Sequence, residues 1–195
     1  MLFSVPNIIT YGRIILIPAI IVLMAMVGDH KSYDTNFWLC FWAMILFTIA
    51  GISDLVDGYY ARRYKAVSNM GKFIDPMADK LIHMTALVML IPLGRISAWI
   101  VVVLLFREIF VSGIRAVAAA EGVIIDAAQW GKYKTAWLNV GLGAMILYYP
   151  LFQGTAFEAN TYAVGIMCVA VGFVFSIASG MQYTARFIKL VNKSK

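Results

Sequence analysis

Six apolar stretches, each close to the length that crosses the hydrocarbon core of a bilayer, are the feature that most constrains this chain. A span needs about 20 mostly apolar residues. The stretches cover residues 8–28, 37–61, 72–93, 96–118, 131–150 and 161–188. Hydrophobic residues form 62% of the sequence, and a soluble fold of this size has too little interior to bury them. We therefore predict an all-α, polytopic membrane protein with six transmembrane helices, formed as a single domain over residues 1–195.

Lysine and arginine predict the orientation of these helices, because both residues are retained on the cytoplasmic side of membranes. Of the 16 lysines and arginines, all but Lys31 and Arg95 fall at the termini, in the even-numbered loops or at the adjoining helix ends. Both termini are therefore expected in the cytoplasm, where the net charge of +6 meets anionic headgroups and substrates. A purely topological role would explain the charges of the C-terminal tail, but not those inside helices. Because no cleavable signal pattern precedes it, the first stretch is expected to remain as a transmembrane helix.

Four carboxylates lie in or beside the second and third stretches, namely Asp54, Asp57, Asp75 and Asp79. A charge at the centre of a span costs about 2.5–3.5 kcal/mol, so an ionisable residue there indicates a functional site. Each pair is spaced at three or four residues, which places it on one helix face. Because the intervening loop is short, the two helices are expected to be antiparallel neighbours whose acidic faces converge.

Carboxylates that converge in this way repel one another unless a cation lies between them. Mg²⁺ and Mn²⁺ prefer oxygen ligands and often share them with a substrate phosphate. We therefore predict one or two Mg²⁺ or Mn²⁺ ions as the cofactor. Zinc is disfavoured, because the cluster has no cysteine and its nearest histidine, His83, is expected to pack or to orient another residue.

Small residues accompany the aspartates. Gly58 and Ala61 lie on the face of the first acidic pair, and Gly71 lies one turn before the second pair. Small side chains let membrane helices approach closely, which is the alternative for Gly71. For Gly58 and Ala61, the position between acids favours room for a ligand.

Together these residues read Asp54-x2-Asp57-Gly58-x2-Ala61-Arg62-x8-Gly71-x3-Asp75-x3-Asp79. The pattern resembles the signature of the CDP-alcohol phosphotransferase family, also called CDP-alcohol phosphatidyltransferases. Eight fixed positions over 26 residues make the resemblance specific. The layout of six spans, with the pattern on the second and third, is also similar to that family.

The resemblance implies a reaction in which a CDP-linked lipid donates its phosphatidyl group to an alcohol and CMP leaves. It implies that Asp54, Asp57 and Asp75 hold metal ions, and that Asp79 is the general base and also lies at the metal site. It places Gly58, Ala61, Arg62 and Gly71 in the CDP-lipid site, with the arginine on the pyrophosphate. The pattern holds no serine, cysteine or histidine nucleophile, so direct attack without a covalent intermediate is expected.

Basic residues of the fourth and fifth stretches suggest an acceptor alcohol that carries its own phosphate. Arg107 and Arg115 are two steps of four residues apart, on broadly the same side of a helix, and Lys132 and Lys134 follow on the same side of the membrane. Arginine forks and lysine ammonium groups both bind phosphate. The alternative is that Arg107 only pairs with an acid, such as Glu108 or one across the bundle.

Three further segments, PNIITYGR, FREIFVSGIR and GKYKTA, resemble the bacterial glycerophosphate branch of the family. This resemblance implies CDP-diacylglycerol and sn-glycerol 3-phosphate as substrates, and Arg13 as a further residue of the acceptor phosphate site. It also implies a homodimer among membrane lipids, in the inner (cytoplasmic) membrane, with the active site facing the cytoplasm. No nucleic-acid partner is expected.

Several alternatives stay open at this point. Serine, an inositol phosphate or phosphatidylglycerol could be the acceptor, although serine would not need the second basic cluster. An intramembrane prenyltransferase also holds pyrophosphate through aspartates and Mg²⁺, but its acidic clusters are usually more widely separated. A cation transporter would place its acids near the midplane, often within repeated halves, whereas these acids lie near one face and no repeat is visible.

Overall fold

A computed structural model of the chain describes residues 5–64, 69–120, 129–149 and 160–193. Side chains are described for residues 11–53, 77–78, 80–119, 130–149 and 160–188. The described backbone forms six α-helices and no strand. They are α1 (Val5–Ala25), α2 (Tyr33–Tyr64), α3 (Asn69–Leu90), α4 (Ala98–Ala120), α5 (Gln129–Leu147) and α6 (Thr161–Lys193). The prediction of an all-α chain is confirmed, with one helix for each apolar stretch.

The boundary between α2 and α3 differs from the one that hydropathy predicts. The apolar stretches place a loop at residues 62–71, whereas α2 continues to Tyr64 and α3 begins at Asn69. Arg62 and Gly71 therefore lie within helices. Hydropathy ends where polar side chains begin, but arginine is a good helix former and needs no apolar surroundings to continue a helix.

The outer surface of the bundle is apolar, as expected for helices that contact lipid. Trp99, Ile15, Phe106 and Met167 are each more than two thirds exposed, which exceeds what a water-facing surface normally carries. Within the described residues, two helical segments are long and apolar enough to cross a membrane, Tyr33–Ser53 and Thr161–Ile188. These features associate the chain with a membrane.

The tightest packing in the described structure joins α5 to α6, while α1 packs on α2 and α3, and α4 packs on α6. Glycines make the α5–α6 contact possible. A Cβ atom on Gly141 would lie 2.9 Å from the backbone nitrogen of Val169, and one on Gly165 would lie 3.0 Å from that of Met145. Because backbone cannot yield as a flexible side chain does, these positions require the absence of a side chain.

A tight turn at the end of α3 places Arg95 inside the bundle. Gly94 has a φ of +68°, a conformation that glycine adopts without strain. Arg95 is 5% exposed, and its Nη1 donates to the carbonyls of Met145 (3.1 Å) and Ile146 (2.7 Å). The guanidinium lies 4.3 Å from the ring centroid of Tyr148. Arg95 thus caps the last turn of α5, whose carbonyls lack helical partners.

Candidate active site

The signature residues lie on consecutive helices that contact each other. Positions 54–62 fall in the last three turns of α2, and positions 71–79 fall in the first half of α3. Only residues 65–68 separate the two helices. The side chains of all eight signature residues lie outside the described set, so the convergence of the acids stays a prediction. Among the side chains that are described, no group of three histidines, cysteines or acids could hold a metal.

A charged network lies next to this region, between α4 and α5. Glu108 of α4 accepts a hydrogen bond from Arg107 Nη1 at 3.0 Å and from Lys134 Nζ of α5 at 2.5 Å, both at its Oε2 atom. Arg107 and Lys134 are each 8% exposed. Buried charges are tolerated when they are paired and hydrogen-bonded, and one carboxylate serves both cations here.

Arg107 also binds α6 through the rest of its guanidinium. Its Nε donates to the carbonyl of Ser176 at 2.9 Å, and its Nη2 donates to Ser179 Oγ at 2.6 Å. Each of the three nitrogens therefore has a protein acceptor. The arginine ties α6 to α4, and through Glu108 it is connected to α5.

A lysine and a histidine of α3 lie beside this network, and the sequence interpretation missed the role of the lysine. Lys80 Nζ donates to Ser112 Oγ of α4, and Ser112 Oγ donates to the backbone carbonyl of Glu108 at 2.6 Å. His83 Nε2 is hydrogen-bonded to Asn139 Oδ1 of α5. Lys80 could have been found from the sequence, because it directly follows Asp79 within an apolar helix. His83 also contacts the ring of Phe47 on α2, which agrees with the expectation that it packs or orients another residue.

A cavity of about 60 Å³ opens among α3, α4 and α5. Its polar walls are Lys80, His83, Glu108, Lys134 and Thr135, and leucines and a methionine form the remainder. Lys80, which lines the cavity, directly follows Asp79, the last position of the signature, in the chain. The site therefore combines a carboxylate-rich helix pair with an adjacent pocket that presents two lysines.

The predicted acceptor residues occupy different environments. Lys134 lines the cavity, whereas Arg107 is not among the described residues that line it and contacts a groove between α4 and α6. Arg13 is 1% exposed in α1. Lys132 and Arg115 have exposed side chains. The structure thus brings Arg107 and Lys134 together through Glu108, the pairing that the alternative interpretation of Arg107 expected, and their binding of phosphate stays a prediction.

Known proteins of one family match nearly the whole chain. The sequence profile of the CDP-alcohol phosphatidyltransferase family matches residues 3–179. A CDP-diacylglycerol–glycerol-3-phosphate 3-phosphatidyltransferase of Bacillus subtilis is 35% identical over 193 residues, 95% of each chain. Proteins of the same name are 32% identical in Cereibacter sphaeroides (80% of this chain, 66% of that one) and 31% identical in Mycoplasma pneumoniae (96% and 89%). The chain belongs to the CDP-alcohol phosphatidyltransferase family.

Proposed function

We propose that this chain transfers the phosphatidyl group of CDP-diacylglycerol to sn-glycerol 3-phosphate, giving phosphatidylglycerophosphate and CMP. The observation that carries the proposal is the complete eight-position signature on two consecutive helices that contact each other. The names of the relatives support the choice of acceptor, since each names glycerol 3-phosphate. The two lysines on the neighbouring cavity are chemically suited to an acceptor that carries a phosphate.

The reaction is a direct displacement at phosphorus. A hydroxyl oxygen of glycerol 3-phosphate attacks the phosphorus of the phosphatidyl group, and the bond from that phosphorus to the CMP oxygen breaks. CMP leaves with the bonding electron pair. Asp79 accepts the hydroxyl proton as general base. Such a transfer depends on positioning and charge neutralisation more than on covalent catalysis by the protein.

The donor site is formed by the other signature residues. Gly58, Ala61 and Gly71 leave room for the CDP-lipid, and Arg62 binds its pyrophosphate. Asp54, Asp57 and Asp75, together with Asp79, would hold one or two Mg²⁺ or Mn²⁺ ions, because a set of carboxylates is the donor chemistry these ions prefer. When bound, the ions would neutralise the phosphate charge.

The acceptor phosphate site is formed by basic residues of α1, α4 and α5 on the same side of the membrane, some binding the phosphate and others supporting those that do. Lys134 lines the cavity, and Arg107 is connected to the cavity wall through its hydrogen bond to Glu108. The other proposed contributors are Arg13, Arg115 and Lys132. Lys80 is added to this group, because it lines the cavity opposite α5.

We further propose that the chain is a single domain, residues 1–195, that crosses the inner membrane six times with both termini and the active site in the cytoplasm. Helices α2 and α6 have 32 and 33 residues, so each is about 48–50 Å long and exceeds a hydrocarbon core of about 30 Å. The excess at their C-terminal ends carries charged residues, which supports a common cytoplasmic side. A homodimer is the proposed assembly.

Release of CMP by purified protein in detergent tests this function. CDP-diacylglycerol and Mg²⁺ are supplied with glycerol 3-phosphate, serine, inositol phosphate or no acceptor. We expect release only with glycerol 3-phosphate, loss of release in excess chelator, and recovery with Mg²⁺ or Mn²⁺ but not Ca²⁺. Release with another alcohol would refute the acceptor, and undiminished release in chelator would refute the metal ions. No release with any acceptor, from folded protein, would favour a prenyltransferase or transporter.

A further inference from the structure

We propose that Arg107 and Glu108 are positioning residues that hold the Lys134 ammonium at the cavity wall, where Lys134 binds the acceptor phosphate. The inference rests on the proposed function, because it assumes a phosphorylated acceptor. In this proposal Lys134 of α5 contacts the substrate, whereas Arg107 of α4 acts on it only through Glu108 and Lys134.

The first step concerns which charges reach the cavity. Lys134 and Glu108 line it together with Lys80. Arg107 instead contacts the groove between α4 and α6, which is lined by apolar residues such as Phe106 and Ile188. A phosphate in the cavity would therefore meet the lysines before the arginine.

The second step concerns how firmly each cation is held. The Arg107 guanidinium donates from Nε, Nη1 and Nη2 to three acceptors on two helices. Three bonds in the plane of a rigid group fix its orientation. That orientation fixes Oε2 of Glu108, which is the atom that Lys134 Nζ contacts at 2.5 Å. The relay thus runs from Ser179 through Arg107 and Glu108 to Lys134.

The third step concerns what Lys134 would do without the carboxylate. A lysine has a flexible stem and tends to extend its ammonium group towards water. Arg107 and Lys134 are hydrogen-bonded to the same oxygen atom, so their like charges would repel once that oxygen lost its charge. That repulsion would shift the Lys134 ammonium group from its position at the cavity wall. Glu108 therefore keeps the ammonium group at the cavity wall, where the acceptor phosphate would bind.

A double-mutant cycle tests the relay. The variants are Glu108→Gln, Lys134→Met and the double variant, and Asp34→Asn is the matched control, an exposed carboxylate in the first turn of α2. The measurements are KM for glycerol 3-phosphate, KM for CDP-diacylglycerol, kcat and the thermal unfolding midpoint in detergent. We expect Lys134→Met to raise KM for glycerol 3-phosphate about 10- to 100-fold, the range for losing a charge-assisted hydrogen bond.

Glu108→Gln should raise the same KM about tenfold and leave KM for CDP-diacylglycerol within about twofold. The double variant should match Lys134→Met alone, because Glu108 acts only through Lys134. Multiplying effects in the double variant, a lower KM in Glu108→Gln, or equal effects on both substrates would each overturn the proposal. Asp34→Asn should behave as wild type.

A milder variant covers the case in which Glu108→Gln does not fold. Ser179→Ala removes only the acceptor of Arg107 Nη2, and we expect KM for glycerol 3-phosphate to rise about threefold, but not in the Lys134→Met background. An unchanged KM would overturn the relay. Wild-type protein that releases no CMP with glycerol 3-phosphate would refute the proposed function and this inference together. Normal wild-type turnover with multiplying variant effects would refute the inference alone.

Discussion

Two buried arginines, Arg95 and Arg107, show how differently a buried charge can be used. Both are at most 8% exposed and both donate to backbone carbonyls. The described partners of Arg95 are the end of α5, a thiol and an aromatic ring. Those of Arg107 include Glu108, which binds Lys134 at a cavity. Burial of a charge alone therefore does not indicate a functional site.

The two arginines differ in whether their hydrogen-bond acceptor also binds another charged group. The carbonyls at the end of α5 carry the negative end of a helix dipole and need donors in any case. Arg95 satisfies them, and among its described partners there is no carboxylate that also binds a second cation. Glu108 instead binds two cations through one oxygen atom, and one of them, Lys134, lines a cavity beside the signature helix α3. We therefore expect substitutions around Arg95 to change stability, and substitutions around Arg107 and the signature to change turnover.

The largest effect is expected for Asp79→Asn, in the proposed active site. Loss of a general base lowers kcat by about 10²–10⁴-fold, while an amide of equal size preserves the helix. CMP release and the thermal unfolding midpoint, measured on the same preparation, separate the two properties. Retained turnover would remove Asp79 from the base role, and a protein that no longer folds would place it among the structural residues.

Arg95→Met is expected to give the reverse result. The methionine keeps the apolar stem but leaves the carbonyls of Met145 and Ile146 without their donor, so the free energy of unfolding should fall by about 2–4 kcal/mol. Both KM values and kcat of the folded fraction should stay within about twofold of wild type. A large rise in either KM with an unchanged free energy of unfolding would show that Arg95, like Arg107, serves turnover.

A smaller loss of stability is expected for Gly141→Ala, at the contact between α5 and α6. The added Cβ would lie 2.8 Å from Val169 Cγ2 and 2.9 Å from its backbone nitrogen, so α5 and α6 must separate at a cost of about 1–3 kcal/mol. Gly143→Ala is the matched control, because among the described residues no atom of another helix lies within 4 Å of its Cβ position. It should be neutral or stabilising by up to about 1 kcal/mol. Equal unfolding midpoints would show that close packing is not needed there.

The helices and the signature could be predicted from the sequence because both are local. Apolar length predicts each helix, and spacing along α2 and α3 places residues on a face without knowledge of their neighbours. The role of Arg95 could not be predicted, since its carbonyl acceptors are about 50 residues away. Hydropathy also cannot give the rotation of a helix about its axis in a bundle that is apolar on all sides. Arg107 and Lys134 were therefore grouped as phosphate ligands, although they reach different surfaces.

The smallest effect is expected for Arg115→Ala. Its side chain is exposed, so water screens its charge and the KM for glycerol 3-phosphate should rise about three- to tenfold. KM for CDP-diacylglycerol should change far less. Lys132→Ala makes the same test on α5. It should raise the KM for glycerol 3-phosphate less than Lys134→Met does. Equal changes in both KM values would move Arg115 out of the acceptor site.

The most direct measurement follows the glycerol 3-phosphate rather than CMP. Radiolabelled glycerol 3-phosphate is incubated with purified protein, CDP-diacylglycerol and Mg²⁺, and label in the organic phase is compared with CMP released, for wild type and Asp79→Asn. We predict equal molar amounts of lipid-soluble label and CMP for wild type, and both products lowered by about 10²-fold or more for Asp79→Asn. CMP without lipid-soluble label, or label transfer by Asp79→Asn at a rate within about tenfold of wild type, would contradict phosphatidyl transfer to glycerol 3-phosphate by the signature aspartates.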